Sequence, residues 1–311
     1  HAFIFDARKT DATLLKSLLE DPDIVKIGHN LKFDYQAVRK ELGIKLDNMF
    51  DTMLAYRLLT SGLVEDRDNG GFHPNGLVPK NKKKQFPYKG LGFLTKKYLG
   101  ISLDKSVRST FTDRQYSKSF DEKQLQYAAD DVLVLHPLCD ILSDKLVEEG
   151  LIETALLEFE FLRPVSEMEL NGVYIDKKHW RDLITDSKKY ADSVGAEIAE
   201  ILEPLQDQNT LFGASTVNIG SKEQILDAFR QLGFEDIQNT EEKTLKGIDH
   251  KLANLLLDWR GYEKIVSTYG EAILKKIDRY TDRLHFTLHQ LGTDTGRLSS
   301  ANPNIQNIPQ D

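Results

Sequence analysis

Short apolar runs alternate with stretches of helical spacing over the first fifty residues. Phe3-Ile4-Phe5 reads as a buried strand within an extended segment over residues 2–7. Leu14, Leu15, Leu18 and Leu19 follow at helical spacing behind a capping Thr10 or Asp11, and Asp21-Pro22-Asp23 stops that helix. Residues 24–28 predict a second strand. A second helix, from about Asp34 to Leu42, places Ala37, Val38 and Leu42 on one face. Strand–helix alternation of this kind predicts an α/β architecture. Helical pattern resumes over residues 91–99 and 121–146, where Pro137 is expected to kink or split the helix. Beyond Leu151 the chain reads as mostly helical. Residues 217–233 open on an Asn-x-x-Ser turn before a helix, and residues 252–280 keep a long helical period. Two strand signals interrupt this half: residues 172–176, and the alternation of Leu284, Phe286 and Leu288 with His285, Thr287 and His289. The apolar pattern breaks at Glu148-Glu149-Gly150, which predicts a boundary near 147–152 and two domains, residues 1–150 and 151–311.

Residues 62–90 depart from the pattern. Their five glycines, three prolines and the cluster Lys80, Lys82, Lys83 and Lys84 predict a mobile loop or insertion, its lysines serving either as a solvated face or as phosphate contacts. No apolar run approaches the roughly 18 residues of a membrane span, so no membrane partner is expected. The single cysteine, Cys139, excludes an internal disulfide and fits a reducing compartment. A net charge of −8 does not mark a nucleic-acid binder, but its distribution is uneven. Residues 1–150 carry 23 Lys and Arg against 22 Asp and Glu, whereas residues 151–311 carry 18 against 27. Contact with a polyanion therefore has to rest on local basic placement. The chain opens on His1 inside an expected strand and stops at Ile308-Pro309-Gln310-Asp311, so a longer parent chain is expected.

Two constellations carry candidate chemistry in the first half. In Gly28-His29-Asn30-Leu31-Lys32-Phe33-Asp34, Asp34 lies where a strand hands over to a helix; it reads either as a helix N-cap or as a site carboxylate. In Tyr127-Ala128-Ala129-Asp130-Asp131, Tyr127 and Asp131 share one helix face, and the alanines leave room for close packing. A carboxylate there suits a hard cation, and a phenol beside it suits a water. The other reading is a solvated amphipathic face.

Taken together these motifs resemble the second and third exonuclease motifs of the proofreading domain of family A DNA polymerases and of ribonuclease D-like nucleases. Phe50-Asp51-Thr52-Met53-Leu54, Leu103-Asp104-Lys105-Ser106 and the run from Gln124 to Val132 resemble the flanks. The resemblance implies a ribonuclease H-like sheet with helices around it, and phosphodiester hydrolysis with two Mg²⁺ or Mn²⁺ ions about 4 Å apart. It further implies that Asp131 holds the ion that activates water, that Asp34 serves the second ion largely through water, that Tyr127 orients the nucleophile, and that Asn30 supports the site by hydrogen bonding. The family's first motif, Asp-x-Glu, is not matched by Asp6-Ala7-Arg8. Without its bridging carboxylate the 311-residue chain is expected to be a very poor exonuclease.

The run from Thr293 to Pro309, Thr-Asp-Thr-Gly-Arg-Leu-Ser-Ser-Ala-Asn-Pro-Asn-Ile-Gln-Asn-Ile-Pro, resembles the family A polymerase signature almost throughout. A donor such as Arg297 reads the minor groove of any matched pair without reading sequence. The resemblance implies that Arg297 meets a primer terminus, with Asn304, Gln306 and Asn307 along the same duplex. Residues 259–269 resemble the family's thumb, where Lys264, Ser267 and Thr268 suit phosphate contacts; a solvated helix face is the alternative. Residues 168–176 and 217–221 also fit the start of a polymerase domain. The expected whole is thus a truncated exonuclease domain followed by a mostly α-helical thumb with a few strands. It would act as a monomer in replication and repair, with a single-stranded 3′ end, a primer–template duplex and, in the complete enzyme, dNTP as partners. An RNA-processing nuclease or a DNA-binding module with a decayed site are the rival readings; the first is disfavoured by residues 293–309, the second by Asp34, Tyr127 and Asp131.

Overall fold

A computed structural model of the chain describes residues 1–61, 63–65, 72–74, 89–111, 119–205, 218–293 and 295–308. The lysine cluster at 80–84 lies outside them. The chain divides into two compact units, residues 1–172 with 286–302, and residues 173–285 with 303–311.

The first unit opens on a 3-10 turn, Ala12–Leu15, capped by the Asp11 side chain, and runs into α1 (Lys16–Leu19). There follow β1 (Lys26–Gly28), α2 (Leu31–Leu42), β2 (Met49–Asp51) and α3 (Thr52–Leu59). A short antiparallel pair, β3 (Leu63–Glu65) with β4 (Phe72–Pro74), occupies part of the expected loop at 62–90. Next come α4 (Leu91–Leu99), a 3-10 turn (Arg108–Phe111), α5 (Glu122–Leu133), α6 (Leu135–Glu148) and α7 (Ile152–Asn171). The expected split of the 121–146 helix falls at Val134. Pro137 thereby becomes the third residue of α6, where its missing N–H is one that a first turn leaves unused.

Residues 2–7 were expected to form a strand, and this is corrected: no regular element forms there, and Phe3 is 83% exposed. A strand needs a neighbour for its ladder. Asp6 instead folds back locally, its carbonyl accepting from Lys9 N and Thr10 N and its carboxylate from Arg8. The core is built by helices on β1 and β2. Leu138, Leu142 and Leu146 recur every fourth residue of α6 and are fully buried. They belong to one cluster with Leu31, Tyr35, Phe50, Leu54, Phe159 and Leu162, in which the Phe50 and Phe159 rings lie 4.8 Å apart.

In the second unit, β5 (Val173–Tyr174) precedes α8 (Lys177–Leu202), whose first turn is capped by Asp176. Then come α9 (Lys222–Gln231), capped by Ser221, α10 (Glu242–Leu245) and α11 (Lys251–Lys264). A π-helical turn (Ile265–Tyr269) and α12 (Gly270–Leu274) follow, so the long period at 252–280 is interrupted. The strand β6 (Arg283–Leu284) pairs antiparallel with β5. Ile198, Leu202, Ile225, Phe229, Leu252 and Leu256 form the helical core.

The alternation at 284–288 yields two short strands rather than one. After β6, β7 (Thr287–His289) pairs with β8 (Ser299–Ala301) in the first unit. Buried polar groups hold this hairpin there. Glu169 accepts from Leu288 N (2.5 Å), Lys32 Nζ (2.7 Å) and Gln36 Nε2 (2.5 Å); Lys32 also donates to Leu288 O. Arg57 Nε donates to Leu291 O (2.7 Å), and Gln290 Nε2 to Glu158 O (2.8 Å). The compact units part at Gly172, and the hairpin belongs to the first of them, while Glu148-Glu149-Gly150 lies at the end of α6.

Candidate nuclease cleft and nucleic-acid contacts

Strands β1 and β2 run parallel, with Gly28 beside Asp51. They end at one level, and the helices they feed start side by side, at the strand ends where α/β folds gather sites. Asp51 joins the two starts. It is 1% exposed; its Oδ1 accepts from Asn30 N (3.0 Å), Met53 N (2.8 Å) and Leu54 N (3.3 Å), and its Oδ2 from Leu31 N (2.8 Å). One carboxylate thus caps α2 and α3 together, at the positive ends of both. The turn between requires Asn30 in the left-handed region (φ 62°), which Asn tolerates better than most residues. It also requires Gly28, where a Cβ would fall 2.3 Å from Leu31 Cδ2. Because Asp51 does the capping, the Asn30 side chain makes no cap bond.

A cleft of about 560 Å³ lies at this end of the first unit. Asn30 and Asp34 from the α2 start line it together with Tyr127 and Asp131 from α5. Asp34 is the fourth residue of α2, so the capping reading is excluded; the cap position belongs to Asn30. Tyr127 and Asp131 stand one helical turn apart on α5. His29, Lys89, Lys105 and Arg108 line the same cleft, as does Phe33.

Burial and the neighbouring Asp51 charge raise the Asp34 pKa to about 6; the residue is exposed as a whole, but its carboxyl group is largely enclosed. Burial likewise raises Asp51, against its four N–H partners. Tyr127 is raised by burial and then by the Asp131 carboxylate, so it stays a phenol. Burial lowers His29 to about 4, with the Lys105 charge in the same direction, so the imidazole is neutral; its Nδ1 lies 3.0 Å from Thr52 Oγ1. Asp34 and Asp131 offer two hard oxygen ligands. That donor set suits one Mg²⁺ or Mn²⁺ completed by water and phosphate. No cluster of three His, Cys, Asp or Glu able to hold a metal occurs among the described residues, so the donors present do not complete a two-ion site.

The residues expected on duplex are not all brought together. Arg297 is exposed in the turn between β7 and β8, where its carbonyl accepts from Thr293 Oγ1 (3.0 Å). Asn304, Gln306 and Asn307 are exposed in the second unit, with Asn304 Oδ1 accepting from Gln306 N (3.1 Å). Lys264, Ser267 and Thr268 are exposed at the end of α11 and in the π-helical turn. The Ser267 hydroxyl donates to Glu263 O (2.7 Å), which leaves its oxygen as an acceptor.

Sequence reasoning quoted Asp51 only as a flank and missed its role, although an Asp directly before a helical apolar period is a cap signal. It also missed His29, Lys89, Lys105 and Arg108, whose approach to the carboxylates no local pattern announces.

Residues 1–147 match the family model described as 3′-5′ exonuclease, and residues 188–311 match the model described as DNA polymerase family A. DNA polymerase I of Rhizobium leguminosarum is 29% identical over 311 residues, covering 95% of this chain and 27% of the relative. DNA polymerase I of Borreliella burgdorferi is 27% identical over 293 residues, covering 91% and 28%. The chain thus spans about a quarter of the length of these relatives. Among solved structures, the POL domain of Pol1 from M. smegmatis, in complex with DNA primer-template and dNTP, shares the fold with a TM-score of 0.66 at 20% identity, covering 98% of this chain and 47% of that one. No described helix is long and apolar enough to cross a membrane. With an exonuclease segment followed by a polymerase segment, the chain belongs to the family A DNA polymerases.

Proposed function

We propose that this chain is the proofreading and primer-binding part of a DNA-directed DNA polymerase, with residues 1–150 contributing 3′-5′ exonuclease chemistry and residues 151–311 duplex binding. The observation that carries the nuclease half is the single cleft lined by Asn30, Asp34, Tyr127 and Asp131, which lie about a hundred residues apart in sequence. Asp34 and Asp131 would hold Mg²⁺ or Mn²⁺, whose charge stabilises the negative charge that develops on a phosphodiester under attack. The raised pKa of Asp34 fits that task, because a cation offsets the burial and the Asp51 charge that raise it. Tyr127 would orient the attacking water, and Asn30 would hydrogen-bond the terminal nucleotide or its water. Hydrolysis by this chain alone is expected to be slow, since two carboxylates leave a second ion without its bridge.

On the polymerase side, Arg297 would donate into the minor groove at a primer terminus, and Lys264, Ser267 and Thr268 would meet phosphates. Nucleotidyl transfer with dNTP, and a place in the cytoplasm as a monomer, belong to the same proposal. The RNA-processing alternative is disfavoured by the polymerase family match over residues 188–311.

The test follows 3′ trimming of labelled single-stranded DNA in Mn²⁺ alongside Mn²⁺ binding by electron paramagnetic resonance. Slow trimming is expected, lost in Asp34→Ala and Asp131→Ala together with ion binding, and reduced in Tyr127→Phe. Trimming that survives Asp131→Ala unchanged would end the nuclease reading. Trimming by the unmodified chain at rates typical of the family would refute the need for a third carboxylate.

A further inference from the structure

The proposed chemistry uses the carboxylates of the cleft and leaves its cations without a task. We infer that Lys105 and Arg108 form a phosphate cradle for the strand entering the cleft, separate from the residues that would hold metal. This inference rests on the nuclease reading above and adds substrate-binding residues to it.

Both side chains are exposed and line the same cleft as Asp34 and Asp131. They are carried by one ordered turn. Asp104 Oδ1 accepts from Ser106 N (2.9 Å), and Arg108 N donates to Lys105 O (3.2 Å). The turn closes into the 3-10 segment Arg108–Phe111, so the two cations flank one short turn at the edge of the cleft.

That turn is fixed to the helix that carries the nuclease groups. Gln124 Nε2 on α5 donates to Thr110 Oγ1 (3.0 Å), and the Phe111 ring lies 5.9 Å from the Tyr127 ring. Arg108 is close enough to Tyr127 for its charge to oppose the rise in the phenol's pKa. Lys105 crosses the start of α4 over two glycines. A Cβ at Gly92 would fall 2.9 Å from Lys105 Cε, so the lysine stem lies directly over that glycine.

The charge arrangement suits a phosphodiester strand. A strand approaching Asp34 and Asp131 brings like charge towards them, and the flanking phosphates need cations beside the scissile position. A guanidinium and an ammonium on a fixed turn provide two such contacts, Arg in a planar fork and Lys as a point charge. The competing role for the pair is to offset the two carboxylates within the protein, and the two roles differ in salt dependence. Each phosphate contact with single-stranded nucleic acid releases counterions and adds about 0.7 to the slope of log K against log salt. Internal charge balance adds nothing to that slope.

The experiment measures binding of a fluorescein-labelled oligothymidylate by anisotropy, in EDTA so that nothing is cleaved, over a series of NaCl concentrations. Lys105→Gln/Arg108→Gln is expected to weaken binding at low salt and to flatten the slope by about 1.4, while Lys105→Arg keeps it. Lys145→Gln, on α6 outside the cleft, is expected to leave both quantities unchanged. Circular dichroism of each variant checks that the fold is kept. A folded double variant with the unmodified slope, or one that loses affinity without a change of slope, would overturn the proposal. If Asp131→Ala abolishes trimming while the double variant keeps its slope, the cradle falls and the nuclease reading stands. If the slope flattens while Asp131→Ala trims normally, the binding cradle stands and the nuclease reading falls.

Discussion

Replacing Asp51 by alanine removes the group on which the whole α2–α3 entry depends. Four backbone N–H groups lose their acceptor, at distances of 2.8–3.3 Å in the intact chain. Hydrogen bonds to a charged acceptor contribute about 1.5–3 kcal/mol each. The desolvation of a buried carboxylate offsets several kcal/mol of that total. The net loss for Asp51→Ala is therefore about 3–5 kcal/mol, or a fall of the first unit's melting midpoint by about 10 °C. Asp51→Asn keeps an oxygen for three of the donors but turns an amide NH₂ towards Leu31 N, so about 1–3 kcal/mol is expected. Trp180 and Trp259, the only tryptophans, lie in the second unit, so their fluorescence reports on that unit. Hydrogen exchange supplies the first-unit signal. The amides of Asn30, Leu31, Met53 and Leu54 are expected to be protected in the unmodified chain and to exchange at least a hundredfold faster in Asp51→Ala, with the tryptophan transition unmoved. Retained protection at Asn30 and Leu31 would refute the double-cap argument, since no other acceptor for those two N–H groups is seen.

Asp34 has a raised pKa, so its contribution to stability is fully present below the ordinary carboxylate value and is lost as pH rises through about 6. In metal-free buffer Asp34→Asn is accordingly expected to melt like the unmodified chain at pH 4 and above it at pH 8; equal midpoints at pH 8 would remove the repulsion from Asp51. Adding Mg²⁺ at pH 8 should raise the unmodified chain's midpoint and leave that of Asp34→Asn in place. Glu169→Ala strips three donors, including the Lys32 ammonium, of a buried acceptor and is expected to cost about 3–5 kcal/mol, read as faster exchange at Leu288 N; unchanged exchange there would show that the hairpin is held by other means. In the full-length enzyme Arg297→Ala is expected to slow extension from a matched primer, and unaltered extension kinetics would count against its minor-groove role.

Local features were legible in the sequence where the forces are local. Asp11 and Ser221 cap helices next to their own apolar periods, and the break in the 121–146 helix follows from a proline with no N–H. Spacing puts Asn30 and Asp34 at the start of one helix and Tyr127 and Asp131 on one turn of another, while their nuclease reading came from the family resemblance. Phe3-Ile4-Phe5 misled because apolar composition favours a strand without supplying the neighbour that a strand requires.

What stayed hidden depends on pairing across long stretches of chain. Lys32 and Arg57 are cations on helices facing the core, and nothing near them in sequence says which oxygens receive them. Leu288 O and Leu291 O do so, from a segment more than two hundred residues on. Lys32 of α2 and Arg57 of α3 thus tie the carbonyls of this segment to the first unit, which is where β7 and β8 lie. Residues 286–302 accordingly belong to the first unit although they follow the second in sequence. This also puts the turn bearing Arg297 and the helix bearing Asp34 in one compact body, joined through Glu169, which receives Lys32 from α2 and Leu288 N from β7 through the same carboxylate oxygen.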